Sequence, residues 1–205
     1  MYTIRLVTAE ELRGSAEQLG ALLADAVDGG ASLGFLAPLE RAAAAGWWRA
    51  LAPDVEDGRL LLWVAEADGA QDAQSAKDAK DTESADGTDG AARGRIAGTV
   101  QLRPATTANG RHRADVAKLM VHRADRGRGL AGRLLAALEA TAAERGLRTL
   151  VLDTETGSPA ERMYAAAGWT RVGAVPDFAT DPAGVSHATT IFYKAPTAPA
   201  AASLR

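Results

Sequence analysis

Residues 116–141, VAKLMVHRADRGRGLAGRLLAALEAT, run from an apolar strand pattern into an amphipathic helix pattern through Arg126-Gly127-Arg128-Gly129-Leu130-Ala131. A strand feeding directly into a helix sets the rhythm of this half of the chain as β-α-β-α. The junction itself is unusual. Glycines at 127 and 129 let backbone approach a ligand closely, and the first helical turn offers N–H groups that have no partner inside the helix. With the helix dipole these make a site for phosphate oxygens, to which Arg126 and Arg128 add charge and bidentate donors. The dipole contributes only about 0.3–1 kcal/mol at an exposed site, so the N–H bonds must carry most of the affinity. On its own the glycine pattern also fits a plain strand-to-helix turn with solvated arginines. It is not a Walker loop, because no Gly-Lys-Ser/Thr follows, and its spacing is not that of a dinucleotide fingerprint.

The remaining punctuation supports one α/β domain over residues 1–195. TIRLVT alternates as a first strand, and Thr8 with Glu11 forms a capping box. The helix it opens carries Leu12, Ala16, Leu19, Leu23 and Val27 at helical spacing and stops at Gly29-Gly30. GGASLGFLAP is a glycine-rich loop. Pro38 is expected to start a second helix with Leu39, Ala43, Trp47 and Leu51 on one face. GRLLLWVAEA is a buried strand, and GRIAGTVQLR and RADVAKLMVH are two more. A helix over 129–145 points Leu130, Leu134, Leu135, Leu138 and Ala142 inward, and Gly146 ends it. LRTLVLDT is a short buried strand. SPAERMYAAAG is a helix with Ser158 as N-cap and Pro159 at its first position. WTRVG and SHATTIFYK close the domain as strands on either side of a loop, residues 176–184.

Residues 68–95 contain no Val, Ile, Leu, Met, Phe, Trp or Tyr. Such a segment cannot bury enough surface to offset its ordering entropy, so it is expected to be a disordered insertion in a hairpin loop. Residues 196–205, rich in Ala and Pro, are expected to be a flexible tail.

Composition excludes several classes. A formal charge of −3 leaves no basic footprint for nucleic acid. The absence of cysteine removes disulfides, a thiolate nucleophile and cysteine zinc sites, and the three histidines show no metal-ligand spacing. No apolar run approaches the ~18 residues of a membrane helix, and YTIRLVT is no signal peptide. A cytoplasmic protein without a metal is expected.

The order strand, Arg-x-x-Gly-x-Ala, helix, strand ending in LDT, then a helix with a tyrosine before a Gly-aromatic pair resembles the GNAT superfamily of N-acetyltransferases. The resemblance covers nearly the whole chain outside 68–95 and the tail. GGASLGF, RGRGLAGRLL, LDTETGSPAERMYAAAGWTRVG and HATTIFYK are similar to segments of the tabtoxin-resistance and kasugamycin acetyltransferase types, which acetylate amines of antibiotic-like molecules. It implies a GNAT fold: a mixed, mostly antiparallel sheet splayed between its fourth and fifth strands, with helices on both faces. It implies acetyl-CoA as co-substrate. Backbone groups of Leu119, Met120 and Val121 would pair with the pantetheine arm. Arg126, Gly127, Arg128, Gly129, Leu130, Ala131 and Gly132 would hold the pyrophosphate, and Ser158 would also touch the cofactor. Tyr164 stands where the family places its general acid, although a core aromatic on that helix would look the same.

An amine of pKa about 10.4 is neutral in only roughly one molecule per few thousand at pH 7, so a nearby carboxylate helps. Asp115, which by strand alternation shares a face with Ala117 and Leu119, and Asp153 at the end of the next strand are both candidates for the base. Either could equally be a solvated or capping carboxylate. Substrate recognition is expected from the GGASLGF loop with Ser32 and Phe35, from Trp47 or Trp48, from Glu155, and from Asp177 and Asp181. Two aspartates in such a loop also serve as turn formers. The expected activity is direct acetyl transfer in a ternary complex to a primary amine of a small antibiotic or toxin, a resistance function. The alternatives are a CoA-binding regulatory module that has lost turnover, and acetylation of protein or peptide amines. Neither nucleic acid nor membrane is an expected partner, and a homodimer is left open.

Overall fold

The computed structural model describes residues 1–67 and 94–196. Among them are strands β1 (Tyr2–Leu6), β2 (Leu61–Ala67), β3 (Arg95–Pro104), β4 (Arg113–Val121), β5 (Thr149–Glu155), β6 (Thr170–Thr180) and β7 (Ser186–Lys194). The helices are α1 (Ala9–Asp28), α2 (Arg41–Ala50), α3 (Ala52–Glu56), α4 (Leu130–Glu144) and α5 (Pro159–Ala166). The strands form one sheet in the order β1-β2-β3-β4-β5-β7-β6. Every pair is antiparallel except β4 with β5, and the crossover that a parallel pair requires is supplied by α4.

Central strands are covered on both faces, and β2 sorts its side chains by alternation. Leu61, Trp63 and Ala65 face a core shared with α4, while Leu62 and Val64 face a core shared with α1 and α2. All five expected inward positions of α1 and all five of α4 are buried. The Thr8–Glu11 capping box forms in full. Gly20 has a packing reason: α2 crosses α1 so closely that a β-carbon there would lie 2.7 Å from the Ala45 backbone nitrogen.

Three expectations need correction. Pro38 sits in the loop before α2, which begins at Arg41, and Ala44, Ala45 and Trp48 form its buried face, with Trp47 and Leu51 only half-buried at the margin. The reason is the close approach at Gly20, which rotates the small Ala44–Ala45 pair inward. Residues 176–180, expected in a loop, belong to β6, because pairing with β7 resumes after an irregularity between Val175 and Ala179. The irregularity absorbs Asp177 at φ 53°. Third, Arg95 is the first residue of β3 and pairs with Ala67, so it is not part of the insertion. The rest of that insertion, through residue 93, and the tail from residue 197 lie outside the described residues.

The most consequential irregularity is in β4. Met120 pairs with Thr99 and Ala117 with Gln101, so two residues of β4, Lys118 and Leu119, stand opposite Val100 alone. Lys118 takes φ 51°, a rare conformation for a side chain with a β-carbon. The extra residue inverts the alternation. Ala114 and Val116 belong to the α4 core, but beyond the bulge Leu119 and Val121 take that side and Met120 turns to α1. Asp115 therefore does not share a face with Leu119, contrary to the simple alternation. Pairing of β4 with β5 stops at Asp115–Val151, and the two strands splay from there.

The turn that follows β4 is anchored from three sides. Asp125, buried, accepts from Tyr2 Oη at 2.6 Å and lies 2.8 Å from Arg95 Nη2. Arg123 clamps Asp25 at the end of α1 through its Nε and donates to the Asp25 carbonyl at 3.1 Å. Burial pushes the Asp125 carboxyl up, but hydrogen bonds from Tyr2 and Arg95 and the charges of Arg95 and His122 more than offset it, leaving its pKa below the ordinary value. Its folded pKa is thus depressed, and the stability it contributes is present above the unfolded value of about 3.9 and lost as pH falls through the folded one. Asp125→Asn is expected to cost about 1–3 kcal/mol at pH 7 in denaturant unfolding. The gap from wild type should narrow below about pH 4, where the wild-type carboxylate protonates.

Candidate active site

Where β4 and β5 part, a cleft of about 880 Å³ opens. One wall is β4 from Val116 to Leu119, and the other is β5 and its loop from Asp153 to Ser158. The loop from Gly29 to Gly34 and residues Phe178, Ala179 and Thr189 of β6 and β7 complete it, with Arg126 at one end. Since strand pairing ends at Asp115–Val151, the facing edges of β4 and β5 beyond that point have no strand partner across the cleft. An extended ligand can add its own polar groups there, as an extra strand would.

Beyond the wall of β4, Gly127 and Gly129 adopt φ of 76° and 73°. Gly129 caps α4 without any side-chain hydrogen bond, and a β-carbon at Gly127, Gly129 or Gly132 would meet nothing within 4 Å. The N–H groups of the first turn, at Leu130, Ala131 and Gly132, have no hydrogen-bond partner among the described residues and lie at a positive helix end. The two arginines diverge. Arg126 lines the cleft and donates from Nε to the Val121 carbonyl at 3.2 Å. Arg128 instead folds onto Tyr2, donating to its Oη at 2.8 Å with the guanidinium 5.9 Å from the ring centre.

On the opposite wall, α5 begins at the cleft. Ser158 caps α5 by accepting from the Glu161 N–H at 3.2 Å, and the Glu161 carboxylate accepts from the Gly157 N–H at 2.6 Å, two bonds that hold the turn before the helix. Tyr164, 7% exposed, lines the cleft while its ring packs edge-on to Trp169 at 5.9 Å and against Phe192 at 6.2 Å. Burial, helped by the charge of Asp153, raises its phenol pKa well above the ordinary value, so it stays protonated through the physiological range.

The candidate carboxylates separate. Asp153 and Glu155 line the cleft, whereas Asp115 is exposed outside its lining. Ser32 also lines it and donates to the Thr180 carbonyl at 3.4 Å, tying the glycine-rich loop to the end of β6. Phe35 and Trp47 stack edge-on at 5.2 Å, and Trp48 is fully buried core. Asp177 bonds Ser186 and lies outside the lining. Asp181 is a turn former, accepting from the Ala183 and Val185 N–H groups at 2.9 Å and lying 3.0 Å from His187 Nε2.

Lys118 was not among the residues expected here. The bulge directs it into the cleft, where Nζ donates to the Leu33 carbonyl at 2.8 Å. Burial pushes its ammonium pKa below the ordinary value, Arg103 adds to this, and Asp153 opposes it. The signal in the sequence is a single lysine interrupting an apolar strand.

The fold is similar to that of an N-acetyltransferase from Staphylococcus aureus Mu50, with TM-score 0.68 and 14% identity over 96% of this chain and 99% of that one. A ribosomal-protein-alanine N-acetyltransferase from Brucella melitensis gives TM-score 0.68 and 20% identity over 94% and 99%. A Salmonella typhimurium protein solved with its cofactor acetyl-CoA gives 0.67 and 16% over 100% and 99%. At these identities the likeness is one of fold. The sequence model of the acetyltransferase (GNAT) family matches residues 46–169, more than half of the chain, and its span takes in the splayed strands, the glycine turn and α5. The chain therefore belongs to the GNAT acetyltransferase family.

Proposed function

We propose that this acetyltransferase moves acetyl from acetyl-CoA directly to a primary amine of a small antibiotic or toxin, in a ternary complex. The observation that carries the reading is the cleft between β4 and β5, with Asp153 and Tyr164 in its lining and an uncapped helix end beyond Arg126. The free N–H groups of α4 and the Arg126 guanidinium suit a pyrophosphate. The edge of β4 at Leu119, Met120 and Val121, which has no strand partner across the cleft, suits the amides of a pantetheine arm, and an N–H there would stabilise the oxyanion. Acetyl-CoA supplies an activated thioester. Asp153, directly or through a water, takes the proton of the attacking amine as the C–N bond forms. Tyr164 gives its proton to the sulfur as the C–S bond breaks. Asp153 is favoured over Asp115 because it lines the cleft. The loop 29–34 and Phe178 and Ala179 of β6 line the same cleft, an enclosure that suits a small molecule better than a peptide. Acetyl-CoA with a panel of amines including kasugamycin and tabtoxin-type compounds, read by release of free thiol, tests the reading. Transfer only to peptides would replace its acceptor class.

Gly129→Glu should abolish acetyl-CoA binding in calorimetry, because it places bulk and like charge where phosphate belongs. Gly129→Ala serves as its control, since it imposes the same strain, roughly 1–2 kcal/mol, without the charge, and should retain much of the affinity. Equal binding by folded Gly129→Glu removes the cradle from the mechanism.

Tyr164→Phe keeps the ring packing and loses the proton. General-acid catalysis contributes about 10²–10⁴-fold, so kcat should fall by roughly that factor with acetyl-CoA affinity nearly unchanged. Asp153→Asn should lose most activity at neutral pH and recover partly as rising pH neutralises the amine unaided. The same recovery in Asp115→Asn, and not in Asp153→Asn, would transfer the base to Asp115.

A further inference from the structure

The bulge that opens the cleft also brings into it a cation for which the transfer reaction has no use. Lys118 Nζ has one carbonyl partner, Leu33, and stands 5.7 Å from the Phe35 ring centre and 5.6 Å from that of Trp47. Among the described residues no carboxylate lies within ion-pair distance of it. A largely desolvated ammonium that touches only a carbonyl and two ring faces, and feels the charge of Asp153 without an ion pair to it, is incompletely compensated, and an anion arriving in the cleft would complete it. The facing wall has the opposite character. Asp153 and Glu155 line the same cleft from β5, and neither forms an ion pair with Lys118. The cleft thus sets a cation on its β4 wall against two carboxylates on its β5 wall.

We propose that the acceptor is a zwitterion, an amine that also carries a carboxylate or comparable anion, with the anion bound by Lys118 and the amine directed to Asp153 and Glu155. The proposal rests on the transferase reading above and narrows its acceptor class. The Lys118 contact works by charge and position. It orients the amine by holding the other end of the molecule, so part of its binding energy restricts the amine to the carboxylate wall. A polycation such as an aminoglycoside brings no anion to Lys118 and is repelled by it, whereas an amino-acid-like compound meets both walls. The Phe35–Trp47 pair keeps the ammonium from swinging into bulk solvent, which makes Lys118 a specificity determinant with a fixed address. A role confined to pinning the 29–34 loop would affect every acceptor alike.

The experiment offers a set of α- and ω-amino acids, each as the free acid and as its methyl ester, beside a polycationic aminoglycoside. The wild-type enzyme should prefer acid over ester by tenfold or more in kcat/KM. Lys118→Met should erase that preference, raising the KM of the acids about tenfold while changing the esters by less than about twofold, and Lys118→Arg should restore much of it. Acetyl-CoA affinity, measured by calorimetry, should not change in either variant. Equal use of acids and esters by the wild type overturns the proposal. So does an equal loss for both in Lys118→Met, which would mark the lysine as a loop pin. Should Lys118→Met fail to fold, the wild-type comparison and Lys118→Arg decide. If acetyl-CoA binds and only amines without an anion are acetylated, or no acid is turned over, the zwitterion falls while the transferase reading stands. If acetyl-CoA does not bind, the transferase reading itself has failed.

Discussion

One residue too many in β4 organises this molecule. Opposite Val100 the strand must accommodate both Lys118 and Leu119, and the left-handed backbone at Lys118 is how it does so. A bulge bends its strand and increases its twist, so β4 cannot continue alongside β5. Only three residue pairs connect those strands, and beyond them the sheet is held together from either side by β3 and β7. The cleft is therefore a gap in a hydrogen-bonded sheet, where the facing edges of β4 and β5 have no strand partner across it. A ligand that satisfied these edges would replace a missing ladder, which suits a long flexible arm better than a globular one.

Much of this was visible in the chain. The apolar spacing of α1 and α4, the Thr8–Glu11 box, the Ser158 cap and the glycines at 127 and 129 are local signals, and local physics decides them. The errors all arise where a tertiary contact outweighs the local pattern. Alternation along β4 is strict only while the register is, and no residue type announces the bulge, since lysine is not a usual choice for positive φ. The face of α2 is set by how near it comes to Gly20, a distance no periodicity encodes. β6 carries Pro176 and Asp177, ordinary turn residues, yet pairing with β7 resumes past them. Tyr164 and Asp153, expected from their positions in recognisable segments, both line the cleft. Lys118 was not expected, because its meaning depends on the parity change one residue away.

The cleft also divides its electrostatics by strand. The ordered turn at Arg123–Asp125 leads into the open first turn of α4, a positive helix end beside which Arg126 remains in the cleft lining and Arg128 is committed to Tyr2. Further along, charge is opposed across the gap, with ammonium on β4 and carboxylates on β5.

Asp125 gathers the ends of three strands: Tyr2 of β1, Arg95 of β3 and, through the Tyr2–Ala67 and Ala67–Arg95 pairs, the last residue of β2. β2 thus ends and β3 begins at residues that are already stapled side by side, Ala67 and Arg95. Closing such a connection costs only about 0.6 kcal/mol more for each doubling of its length. This corner is a natural splice point: sequence can be added or removed there over evolutionary time at small thermodynamic cost, while the staple keeps the drift from reaching the turn that leads into α4.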